Sequence, residues 1–116
     1  MKNKRFLDLV LAHEGQYCLW ALKGTRPNEQ IKQQFYPSTD DLLQAARDLD
    51  NNGWNAFFAL GTFFDDSSRT ANNMQWMKSF FLDLDCGPDK EFPSQAVAID
   101  ELRNFCENNA LPTPTL

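Results

Sequence analysis

"STDDLLQAARDLDNNGWNAFFALGTFF", residues 38–64, decides the fold. Its first half repeats apolar residues at helical spacing, at Leu42, Ala45, Ala46 and Leu49. Ser38, with Asp41 three residues on, makes an N-terminal capping pair, with Asp in place of the usual Glu. Asn51-Asn52-Gly53 stops the helix. The period then changes to two. Ala56, Phe58 and Leu60 point one way, and Phe57, Ala59 and Gly61 the other. Both faces are apolar, which predicts a strand in the interior of a sheet.

Upstream, "QYCLWAL", residues 16–22, is aromatic and apolar, bounded by Gly15 and Gly24, and reads as a strand. Between the two strands, Lys23 to Pro37 reads as a polar connection with two prolines. "RFLDLVLAHEG", residues 5–15, reads as a helix. Phe6, Leu9, Val10 and His13 lie at helical spacing, Leu7 and Leu11 widen the apolar surface, and Gly15 is placed to end it. Asp8 falls off that stripe, as a structural or solvated acid.

Downstream, residues 65–73 read as a polar loop and residues 77–85 as a third strand. "PSQAVAIDELRNFCENNA" reads as a helix with Val97 or Ala98, Leu102, Phe105 and Cys106 on its apolar face. "PTPTL" looks like the entry to another strand, so the chain reads as the N-terminal piece of something longer. The order helix, strand, helix, strand, strand, helix predicts an α/β or α+β layer with a mixed sheet and packed helices.

The 116 residues suffice for one domain with one core. Hydrophobic residues make up 42% and aromatics 13%, a globular composition. No apolar run approaches the ~20 residues that span a bilayer, which excludes a membrane helix. The basic start (Lys2, Lys4, Arg5) leads into a short apolar stretch broken by Asp8, so no signal peptide is expected. Three widely spaced cysteines, Cys18, Cys86 and Cys106, indicate neither a disulfide framework nor a zinc site. A reducing, cytoplasmic setting fits them. A net charge of −5 counts against a module that simply coats nucleic acid. It leaves room for an enzyme that uses a local groove.

"SFFLDLDCGPDK", residues 79–90, carries the chemistry. In a strand, residues i and i+2 share a face, ~6.6 Å apart along the chain. Asp83 and Asp85 would then project together, with Phe80, Leu82 and Leu84 packed behind them. Two carboxylates held on one rigid edge repel each other, and burying them is costly without a cation. Mg²⁺ or Mn²⁺ prefers such oxygen ligands. Two ions ~3.5–4 Å apart can activate an attacking oxygen and stabilise a leaving one. The Gly-Pro turn then returns Lys90 towards the acids. "Phe-Leu-Asp-Leu" also occurs at residues 6–9, on the first helix, where no second acid follows.

The ordered pattern resembles the archaeo-eukaryotic primase superfamily, in particular the primase-polymerase domains of phage and plasmid replication proteins. "QQFYPSTDDL" is similar to that family's tyrosine-proline segment before a helix, and "GWNAFFALGTFF" to its second strand. "RTANNMQWMKSFFLDLDCGPDKEFPSQAVAIDELRNF" resembles its arginine-asparagine loop, its hydrophobic-Asp-hydrophobic-Asp strand and its Gly-x-x-Lys turn into a helix. The resemblance implies a nucleotidyltransferase of DNA replication with Asp83 and Asp85 as catalytic ligands of Mg²⁺ or Mn²⁺. It implies that Lys90 and Arg69 contact nucleotide or nucleic acid. Implied partners are a DNA template, nucleoside triphosphates and a helicase, attached or separate. The family's later histidine and third acid have no counterpart here, and His13 lies far upstream. The isolated chain is therefore expected to show little or no polymerase activity.

Two alternatives compete. A non-catalytic binding module on the same fold would leave the acids solvated. A phosphatase of the haloacid dehalogenase type would use Asp83 as nucleophile, but it wants Thr or Val two residues after the second acid, where Gly87 stands. Trp20, Trp54 and Trp76 read as packing residues, although Trp76, near the acids, could line a site. Cys86 reads as structural, since an adjacent carboxylate disfavours its thiolate.

Overall fold

The computed structural model describes residues 2–114. The end of the segment read as a strand entry, residues 115 and 116, lies outside the described residues. The described residues form two compact units, one through Phe81 and one from Leu82.

The first unit contains α1 (Lys2–Val10), β1 (Gln16–Lys23), β2 (Gln30–Tyr36), α2 (Thr39–Asn51), β3 (Asn55–Phe63), a single 3-10 turn (Ala71–Asn73) and β4 (Met74–Trp76). The strands form one sheet in the order β2-β1-β3-β4. This is an α+β fold. Every ladder in the sheet is antiparallel, rather than mixed as the element order predicted.

The deciding stretch folds as its two periods dictate. Ser38 caps α2, its Oγ accepting from the Asp41 N–H at 3.1 Å. In return Ser38 Oγ donates to Asp41 Oδ2 at 2.9 Å. Asn52 closes the helix, and Gly53 continues with φ +79°, a backbone conformation that costs glycine least. β3 then lies inside the sheet between β1 and β4, as its two apolar faces predicted.

The core lies between helices and sheet. Leu7, Val10 and Leu11 from the first helical segment meet Leu42 of α2 over Tyr17 and Leu19 of β1. Fully burying a side chain such as Leu42 contributes about 1.5–3 kcal/mol. The buried face of α1 is thus set by Leu7 and Val10, with Leu11 just past its end, while Phe6 and Leu9 of the expected stripe are exposed. α1 also ends at Val10, before Gly15. Tyr17 satisfies the chain just beyond it, its hydroxyl donating to the Ala12 carbonyl at 2.6 Å.

Two segments depart from the sequence expectation. Lys23–Pro37 is not simply a connection, for it holds β2, "QIKQQFY", paired with β1 from Tyr17↔Tyr36 to Lys23↔Gln30. Its Gln and Lys residues carry little strand preference. Pairing with a buried neighbour overrides that, and as an edge strand it is polar and mostly exposed. Residues 77–85 form no strand. The last ladder stops at Trp76, Phe80 is fully exposed and Leu82 largely so, so the expected packing of Phe80 and Leu82 behind the acids is absent.

The second unit contains α3 (Gln95–Asn108), capped by Ser94, whose Oγ accepts from the Val97 N–H at 3.3 Å. Ala98 and Cys106 are its buried residues, while Val97 and Phe105 are exposed. No helix among the described residues is long and apolar enough to cross a membrane.

Candidate functional site

Asp83 and Asp85 lie on irregular backbone, so the strand period does not set their relation. A local turn does. The Gly87 N–H donates to the Phe92 carbonyl at 2.9 Å, and the Lys90 N–H donates to the Gly87 carbonyl at 3.1 Å. Cys86 and Phe92 bridge across the turn. The chain therefore doubles back, and Asp83, Asp85, Asp89, Lys90 and Glu91 line one open cavity of about 420 Å³.

Asp89 and Glu91 are the members that the sequence reading missed. The signal for them was present, because a Gly-Pro-Asp turn brings the residues after it back beside those before it. Four carboxylates and one ammonium give the cavity a strongly acidic lining. Their hard oxygen donors suit Mg²⁺ or Mn²⁺. Among the described residues, however, no three acidic, histidine or cysteine side chains are grouped so as to hold one ion. The donor chemistry fits a divalent cation, and the donor number does not complete its shell. Cys86 Sγ donates to the Leu84 carbonyl at 3.2 Å, on the same turn.

Arg69 belongs to the first unit. Its guanidinium stands 4.9 Å from the centroid of the Trp20 ring, on a loop shaped by Asn73. The Asn73 side-chain amide donates to the Asp65 carbonyl at 2.9 Å and the Ser68 carbonyl at 2.7 Å. Trp54 is buried beneath two lysines, with the Lys32 ammonium 4.5 Å from its ring. Trp76, by contrast, is half exposed. Cys18 is buried, which pushes its thiol pKa up, although Arg69 opposes the shift.

His13 is exposed beyond the end of α1, and its Nε2 lies 3.3 Å from Lys78 Nζ. No family model, curated protein or solved structure matches the chain.

Proposed function

We propose that this chain is a primase-polymerase-type nucleotidyltransferase module, with Asp83 and Asp85 as two of its divalent-metal ligands. The observation that supports this reading is the shared cavity of Asp83, Asp85 and Lys90. The ordered resemblance to the archaeo-eukaryotic primases supports it independently of that cavity. A bound Mg²⁺ or Mn²⁺ supplies charge stabilisation and an activated oxygen nucleophile. Asp83 and Asp85 contribute hard oxygen ligands, and Lys90, on the same rim, attracts phosphate oxygens. Asp89 and Glu91, which line the same cavity, are candidates for further ligands in this reading. Arg69, over the Trp20 ring, has a separate role on nucleic acid. The setting is cytoplasmic, with template DNA, nucleoside triphosphates and an attached or separate helicase as partners.

Mn²⁺ titrated into the isotopically labelled chain tests the ligands. Paramagnetic broadening should centre on residues 83–91 and vanish in the Asp83→Ala/Asp85→Ala variant. Broadening that persists unchanged in that variant removes both residues from the site. Primer extension by the natural gene product, lost in the same variant, tests the reaction. Neither broadening nor extension would leave the non-catalytic binding module as the better account.

A further inference from the structure

We propose a second site, for a phosphate ester carried on a planar ring, in the cleft between α1 and the end of β4. Two cavities meet there. One, of about 560 Å³, is lined by Lys4, Arg5, Asp8, Leu9, His13 and Lys78. The other, of about 410 Å³, is lined by Ala12, His13, Glu14, Trp76, Met77 and Lys78. His13 and Lys78 belong to both. Both are shallow and open to solvent, so a ligand here would stay partly exposed.

Charge separates the two halves. In a chain with 16 acids against 11 lysines and arginines, three of the cations, Lys4, Arg5 and Lys78, line one cavity. Lys4 is committed to Asp8 at 2.8 Å and to Asp40 at 3.6 Å. Among the described residues, Arg5 and Lys78 have no carboxylate partner. Lys78 Nζ donates to the Asp8 carbonyl at 3.1 Å and lies 3.3 Å from His13 Nε2. The bond to Asp8 anchors the ammonium and leaves it protons for a ligand.

The other half has the opposite character. Trp76 and Met77 are each about half exposed there, and an indole face accepts a planar ring by stacking. Glu14 makes that end hostile to phosphate and able to accept from a ring N–H. The ligand's orientation follows: phosphate on Arg5 and Lys78, ring on Trp76. Free nucleotides and single-stranded nucleic acid both present this chemistry. The site involves neither Asp83 nor Asp85 and stands apart from the metal proposal.

His13 is the only histidine in the chain, so its imidazole resonances report on the cleft without ambiguity. ATP, inorganic triphosphate and a short oligothymidylate are titrated separately while these signals and calorimetric heats are followed. ATP or the oligonucleotide should shift His13, and the tighter of the two identifies the source. Arg5→Gln and Lys78→Gln should each weaken binding about tenfold or more, and added salt should weaken it further. Trp76→Leu should weaken ATP and leave inorganic triphosphate unchanged. Among the described residues Arg5 makes no ion pair and is exposed, so its variant should change stability by no more than about 0.5 kcal/mol. Absence of a His13 shift with all three ligands, or equal affinity in Arg5→Gln and wild type, overturns the site. Equal binding of ATP and inorganic triphosphate overturns the ring half of the assignment.

Discussion

Thr39 donates its hydroxyl proton to Asp8, Oγ1 to Oδ1 at 2.7 Å, and so joins the first residue of α2 to the last turn of α1. Lys4 donates to the other carboxylate oxygen at 2.8 Å. The acid of the first Phe-Leu-Asp-Leu is therefore a structural clasp between two helices.

The hydrogen bonds from Lys4 and then Thr39 hold the Asp8 carboxyl below its ordinary pKa. A lowered folded-state pKa stabilises the fold above the ordinary carboxylate range. That contribution is lost as pH falls through the folded-state value. Asp8→Asn should melt below wild type near neutrality, and the gap should narrow progressively as pH falls below the ordinary carboxylate range. Thermal melts across that range check it, and a gap that widens with acid contradicts the clasp.

Gly15→Ala should destabilise the first unit. Gly15 has φ +99°, and a methyl there would meet Thr62 Oγ1 at 2.8 Å and Gln75 Oε1 at 2.9 Å. Backbone strain of this kind costs about 1–3 kcal/mol. Urea unfolding measures the loss, and wild-type stability in the variant would mean the turn takes another conformation.

Thr62→Val should stabilise. Thr62 is fully buried, and its hydroxyl has no hydrogen-bond partner among the described residues. Replacing an unsatisfied hydroxyl with a methyl of similar shape removes a desolvation cost of about 1–3 kcal/mol. A lower urea midpoint would show that the hydroxyl is hydrogen-bonded in solution.

Tyr17→Phe should cost about 1–2 kcal/mol, because it leaves the Ala12 carbonyl without its 2.6 Å donor while the ring stays buried. Hydrogen exchange should quicken between α1 and β1 in this variant. Unaltered stability would mean that water replaces the phenol there.

Asp83→Ala/Asp85→Ala should leave stability within about 0.5 kcal/mol of wild type, since both side chains are exposed. Matched urea curves would assign a lost Mn²⁺ response to lost ligands. A large destabilisation would instead give these acids a structural role.

The sequence by itself determined α2, β3 and a layer that combines helices with a sheet; the antiparallel pairing that makes it α+β came from the tertiary structure. Ser38, the Leu42-to-Leu49 stripe and Asn52-Gly53 mark a helix through local chemistry, and a run apolar on both faces marks an interior strand. It did not determine β2, where Gln and Lys are held extended by hydrogen bonds to β1. Nor could it say that "SFFLDLD" would lack a strand partner, for apolar letters alone do not provide one. Asp83 and Asp85 reach one cavity through a turn written in nearby residues, so that neighbourhood was partly legible. His13 and Lys78 stand 65 residues apart in the chain, and their meeting was not. Capping and periodicity act over a few residues and leave a local trace. Strand pairing and long-range contacts depend on which distant surfaces the folded chain presents, so only the tertiary structure decided them.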